Sequence, residues 1–173
     1  MDAISNPNSV DGIRQLAENG NADAQYWLGF MHYCGSLVAQ DDDAAARWFL
    51  CAATQGHPTA QNDLGVLYAN GRGVPQDDCE AVKWYAKGAE GGNSTAQMNF
   101  GRMLYDGRGV PKNDAQALFW SQLAADGGDA TAKSNVEFLS RIITAEQAAN
   151  VKTQVLHWQR SHSAGDSESH SED

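Results

Sequence analysis

The chain is poor in cysteine and in positive charge, and no part of it is a long hydrophobic run. Only three cysteines, Cys34, Cys51 and Cys79, occur among 173 residues, an odd count with no C-x-x-C spacing. That excludes a disulfide framework and a thiolate zinc site, and leaves the thiols as buried or incidental. The five histidines, His32, His57, His157, His162 and His170, lack the spacing of a ligand set, so neither a metal nor any other cofactor is expected. Lysine and arginine number 12 against 22 aspartates and glutamates, a net charge of −10. Phosphate backbones demand basic footprints, so nucleic acid is excluded as a partner. An acidic surface suits a basic protein partner, and it also suits plain solubility; both readings stand. No stretch approaches membrane-spanning length, and the start of the chain, residues 1–12, is polar with no signal-peptide pattern. The expectation is a protein without a membrane partner, cytoplasmic as written, or periplasmic if a leader was removed. No G-x-S-x-G and no phosphate-binding glycine loop occurs.

What is there is a repeat. Ala24, Ala60, Ala96 and Ala132 fall 36 residues apart, and around them Gly29, Gly65 and Gly101 align. So do Gly35, Gly71 and Gly107, then Asp42, Asp78 and Asp114, then Trp48, Trp84 and Trp120, and finally Gly56, Gly92 and Gly128. Comparing 57–92 with 93–128, 15 of 36 positions are identical. A fixed period of this length marks a stack of like units, each burying its apolar face on its neighbours.

Each unit reads as a helical hairpin. A first helix over about 22–33 carries Ala24, Leu28 and Met31 on one face and ends at Gly35, a residue suited to a left-handed cap. The loop Gly71-Arg72-Gly73-Val74-Pro75-Gln76-Asp77-Asp78 contains turn glycines, a proline and aspartates placed to cap the next helix. A second helix over about 42–54 carries Ala45, Trp48 and Ala53, and Gly56 stops it. The tryptophans read as core between hairpins. Residues 10–19 resemble only a second helix. Residues 130–141 form a first helix without the loop glycines, and Thr144 with Gln147 is a capping box opening a last helix to about Arg160. The expected organisation is one all-α solenoid over 9–160, with a half repeat at 9–20, repeats at 21–56, 57–92 and 93–128, capping helices at 129–160, and a polar disordered tail at 161–173.

The first helices also carry positions that the packing does not hold constant. Opposite the small, repeating face lie Tyr26, Trp27, Phe30 and Tyr33 in the first unit. Asp63 and Val66 follow in the second, and Asn99, Arg102 and Tyr105 in the third. Aromatic residues and arginine dominate binding hot spots, so this arc is the candidate protein-binding surface. The alternative is that Tyr26 and Tyr33 pack on the half repeat before them. The recurrent acidic pairs and glycine loops are caps and turns, and no catalytic group stands out.

These motifs resemble the Sel-1-like repeat family, relatives of the tetratricopeptide repeats. The likeness is carried by Ala60-Gln61-Asn62-Asp63-Leu64-Gly65-Val66-Leu67-Tyr68, by Gly71-Arg72-Gly73-Val74-Pro75-Gln76-Asp77 and by Ala81-Val82-Lys83-Trp84-Tyr85. The first unit departs at Leu37 and Ala39, where the family has glycine and often proline, so its loop is expected to take a different shape. The resemblance implies a right-handed superhelix whose first helices line a concave surface that grips protein partners. It further implies bacterial adaptors, scaffolds and, among small members, immunity proteins that neutralise a toxic effector; a monomer is expected. One branch of the family is cysteine-rich, secreted and binds or hydrolyses β-lactams. Its cysteine pairs, one in each helix of a unit, are missing here, because antiparallel packing puts Cys34 nearer Asp43 than Cys51. That enzyme reading is the alternative to a non-catalytic interaction module.

Overall fold

A computed structural model describes residues 9–163. Among them every regular element is a helix: α1 (Val10–Glu18), α2 (Ala22–Cys34), α3 (Asp42–Thr54), α4 (Pro58–Asn70), α5 (Asp78–Glu90), α6 (Ser94–Asp106), α7 (Asp114–Asp126), α8 (Ala130–Ile142) and α9 (Ala145–Ser163). The three units are the hairpins α2–α3, α4–α5 and α6–α7, each packed within itself and then on the first helix of the next. Helices α4 and α6 also touch one another directly, so the first helices form a layer of their own.

Local chemistry fixes each hairpin. Asn21, His57, Asn93 and Asp129 cap the first helices, each side chain accepting from the backbone N–H three residues on. Asp41, Asp77 and Asn113 do the same for the second helices. Gly35, Gly71 and Gly107 close the first helices in the left-handed region at φ 66°, 66° and 68°. Within each hairpin the helices meet across a glycine. A Cβ on Gly29 would stand 2.8 Å from the Phe49 ring, and one on Gly65 would stand 2.7 Å from the Tyr85 ring. Phe49 and Tyr85 are accordingly the largest fully buried side chains. They sit one residue after the tryptophans read as core. Trp84 is buried, under the ammonium of Lys87 at 4.2 Å, but Trp48 and Trp120 are only half-buried.

Three devices join one unit to the next. Gln25, Gln61 and Gln97 are buried and donate to the carbonyls of Ala17, Ala53 and Ala89 at 3.1, 3.0 and 3.2 Å. Arg72 donates from Nε and Nη2 to the two carboxylate oxygens of Asp42, at 3.2 and 2.6 Å, and Arg108 donates to Asp78 in the same way at 3.2 and 2.7 Å. Hydrogen bonds from Arg72 hold the Asp42 carboxyl below the usual range. Gly73 and Gly109 lie so close to the backbone carbonyls of Asp42 and Asp78 that a side chain would collide with them.

Several expectations are corrected. The first-unit loop has the same shape as the others, because Leu37 itself adopts φ 66°, beside 64° at Gly73 and 66° at Gly109. Of the two readings of the cysteines, buried or incidental, the second holds: all three are free and exposed. Helix α9 runs past Arg160 to Ser163; it lies against α7, and its Val151 and Val155 seal the core there. His162, read as tail, stacks on Trp158 at 3.8 Å. The rest of the expected tail, 164–173, and residues 1–8 lie outside the described residues. The capping box is present: Thr144 N–H donates to Gln147 at 2.9 Å, and Gln147 N–H to the Thr144 hydroxyl at 3.2 Å.

Trp84 belongs to the cluster of Phe49, Leu64 and Leu67, which spans the first two units. Trp84→Ala should therefore cost about 3 kcal/mol in denaturant unfolding. A loss under about 1 kcal/mol would contradict its core role. Leu37 is 78% exposed in a conformation that costs an L-residue about 1 kcal/mol or more. Leu37→Gly should raise stability by about 0.5 kcal/mol after the added chain entropy. Gly73→Leu, aimed at the Asp42 backbone, should disrupt the stack; equal behaviour of the two sites would refute the distinction.

Candidate functional site

The first-helix face begins with an aromatic group on α2. Trp27 is 52% and Phe30 37% exposed, and their rings meet edge-to-face at 6.1 Å. Tyr26 lies beneath them, 5.5 Å from Trp27 and 6.3 Å from Phe30. It does not pack on the preceding half repeat. Its ring stacks on Phe49 at 5.8 Å and on His57 at 4.7 Å, inside its own unit and against the start of the next. Tyr33 packs on Phe49 too, at 6.4 Å, and the Arg72 guanidinium sits 4.2 Å over its ring.

Asp63 stands at the base of this group. Burial pushes its carboxyl above the usual range, against the opposing pull of hydrogen bonds from Asn62 and Tyr26. The Tyr26 hydroxyl is pushed up to about 12, first by its own burial and then by the charge of Asp63. No cation lies within ion-pair distance of Asp63 among the described residues. Phe30, Tyr33, Phe49, Asp63 and Val66 enclose a pocket of about 120 Å³. The group thus offers a desolvated anion walled by rings, a combination that attracts a cation.

Asn99 does not belong to the exposed surface. It is buried and donates to Asn62 Oδ1 at 3.0 Å, while Asn62 Nδ2 donates to Asp63 Oδ1 at 2.9 Å. The residues Tyr26, Asp63, Asn62 and Asn99 form one polar chain linking the first helices of all three units. At these four residues the variable arc is bonded across the stack rather than left to solvent. Arg102 is exposed and Tyr105 half-buried, as a second group farther along. Tyr105 meets Phe138 of α8 edge-to-face at 5.6 Å, with Lys112 4.6 Å above its ring.

Sequence reasoning missed Phe138, Phe49 and His57. Phe138 continues the series Phe30, Val66, Arg102 at the same period, and extending the comparison into α8 finds it. His57 accepts the Ala60 N–H at Nδ1, at 3.1 Å, and its Nε2 lies 3.5 Å from Asp23. Among the described residues there is no group of three or more His, Cys, Asp or Glu side chains that could hold a metal.

The Sel1 repeat pattern matches residues 22–57, 58–93 and 94–129. A crystal structure of a Sel1 repeat protein from Oxalobacter formigenes is 36% identical with a TM-score of 0.69, over 74% of this chain and 96% of that one. A protective antigen of uropathogenic Escherichia coli with an SLR fold is 40% identical at a TM-score of 0.69, over 72% of this chain and 27% of that one. Cysteine-rich protein B of Helicobacter pylori, at 24% identity and a TM-score of 0.56, covers 75% of this chain and 98% of that one and shares the fold. No curated protein matches the chain.

The raised carboxyl of Asp63 has a sign that can be checked. A group whose folded value lies above its unfolded one contributes fully below the unfolded value, here 3.8, and loses that contribution as pH rises through the folded value. Asp63→Asn keeps an acceptor for Tyr26 and cannot ionise. Its melting temperature relative to the parent should therefore rise between about pH 3.5 and about pH 7. A relative fall over that interval would mean that the carboxylate is stabilised, not desolvated.

Proposed function

The chain belongs to the Sel1 repeat family, whose members generally serve protein–protein interaction, and we propose that it is a non-catalytic adaptor or inhibitor that grips a protein partner on its first-helix face. The observation that carries this is the desolvated Asp63 carboxylate beneath exposed Trp27 and Phe30. A soluble protein keeps such a cluster at a cost in stability, and a ligand that covers the rings and neutralises the charge recovers it. The partner's matching feature is a lysine or arginine whose apolar stem lies along Phe30, Tyr33 and Val66 while its head reaches Asp63. The chain's net charge of −10 favours a basic partner over the whole surface as well. A basic toxic effector neutralised by an immunity protein is one partner of that kind. The β-lactam enzyme reading has less support: the cysteines are free and exposed on α2, α3 and α5, and no slow hydrolysis of nitrocefin by the pure protein is expected.

Panning a random peptide library on the immobilised protein tests the reading. Recovered peptides should share a lysine or arginine. Truncating a ring anchor typically costs about 2 kcal/mol, roughly thirtyfold in affinity. Trp27→Ala and Phe30→Ala should weaken the best peptide by about that much, and Asp63→Asn by at least tenfold. Arg47→Ala and Lys83→Ala, on the second helices α3 and α5, should change little. If the second-helix variants abolish binding and the first-helix ones do not, the first-helix face is the wrong surface.

A further inference from the structure

The third unit lacks the ring that the other two place between their helices. Phe49 covers Gly29 and Tyr85 covers Gly65, but Ser121 stands at that position in α7. The helices have not closed over the loss. A Cβ on Gly65 would lie 3.2 Å from the Ala81 carbonyl oxygen, and one on Gly101 would lie 3.2 Å from that of Ala117. With the ring missing, the pocket there widens to about 220 Å³, and its lining includes Gly101, Arg102, Tyr105, Ser121, Asn135 and Phe138. The first-unit pocket, where the Phe49 ring is in place, measures about 120 Å³. The two are the same site. Phe30, Tyr33, Phe49, Asp63 and Val66 correspond, two periods on, to Arg102, Tyr105, Ser121, Asn135 and Phe138.

We propose that this socket takes an aromatic side chain of the protein partner, phenylalanine or tyrosine, in the space where units one and two hold rings of their own. The occupant is argued from the chain itself. Glycine at 101 still leaves the floor flat, and Tyr105 and Phe138, edge-to-face at 5.6 Å, supply walls that favour a third ring over an aliphatic group. Arg102 at the mouth offers its guanidinium to a ring face or a phenol oxygen. The tyrosine hydroxyl of unit two already lies in the field of Arg102 and Arg108. That the ring arrives on a protein rests on the function proposed above; that the socket accepts a ring does not.

The test uses p-cresol, the tyrosine side chain alone, with cyclohexylmethanol as the non-aromatic control, followed by backbone amide NMR of the whole chain. The expected result is saturable shifts at Gly101, Arg102, Ser121 and Asn135 with a Kd on the order of 1 mM, at least tenfold tighter than for the control. Ser121→Phe restores this chain's own ring, so it should abolish those shifts and raise the melting temperature. Should that variant not fold, Phe138→Ala, which removes an exposed wall, should weaken p-cresol several-fold; unchanged affinity there overturns the proposal. So does the absence of saturable shifts at about 20 mM p-cresol, equal binding of the control, or undiminished shifts in folded Ser121→Phe. None of these readings involves the partner, so an empty socket leaves the Trp27, Phe30 and Asp63 face standing. Insensitivity of peptide binding to those three residues leaves the socket standing in turn.

Discussion

Each hairpin depends on one close approach at a glycine in the middle of the first helix, and in the first two units the second helix lays a ring against it. Gly29 under Phe49 and Gly65 under Tyr85 leave no room for even a methyl group. A glycine inside a helix weakens that helix by about 1 kcal/mol, so the contact must recover this through burial of the ring, and both rings are among the most buried side chains in the chain. The spacing so established then governs the rest. It sets how far Gln61 and Gln97 reach to the carbonyls of Ala53 and Ala89, and how near the next loop comes to Asp42 and Asp78. In the third unit the spacing persists without the ring, because the neighbours on either side hold α6 and α7 in place.

The two ends of the stack follow from where these devices stop. Asp114 is the counterpart of Asp42 and Asp78, but Thr144 occupies the place of Arg72 and Arg108. The Asp114 Oδ1 is left without a hydrogen bond and keeps only an ion pair with Lys112 at 3.4 Å. Lys133 likewise replaces the bridging glutamine on α8. With both joints missing, nothing directs α9 into a fourth hairpin. It lies across α7 with Val151 and Val155 inward, covering the apolar surface that another unit would have buried.

Much of this was legible in the sequence. The period gave every hairpin, because glycines and caps at fixed offsets leave the backbone few choices, and Gly35, Gly71 and Gly107 close their helices as read. Phe30 and Trp27 were legible as members of the variable arc, together with Tyr26 and Tyr33, but their exposure was not; the structure leaves these two exposed. Other features depend on what stands opposite a residue, which a period alone does not reveal. Asn99 looked variable, yet it is buried by its bond to Asn62 in the neighbouring unit. Tyr26 and Asp63 looked independent, yet they share a hydrogen bond. Phe49 was overlooked beside Trp48 because the tryptophan repeats three times, whereas its neighbour changes from Phe49 to Tyr85 to Ser121. Identity of residue drew the eye, and constancy of space was what mattered. Leu37 was the opposite error: a changed residue in an unchanged backbone.

The backbone at Leu37 has a wider consequence. The loop closes through bonds inside its own unit, from Ser36 N–H to the Met31 carbonyl and from Asp41 N–H to the His32 carbonyl, at 3.0 and 3.1 Å. The same pairs recur at Arg72 with Leu67 and at Asp77 with Tyr68. The shape therefore survives a residue that opposes it, and each unit carries its own loop geometry to the stack. A gene encoding such a protein can gain or lose whole units in steps of one period without redesigning a joint. The reach of the array, and the number of side chains it presents to a binding partner, can then change by recombination while its local chemistry stays the same.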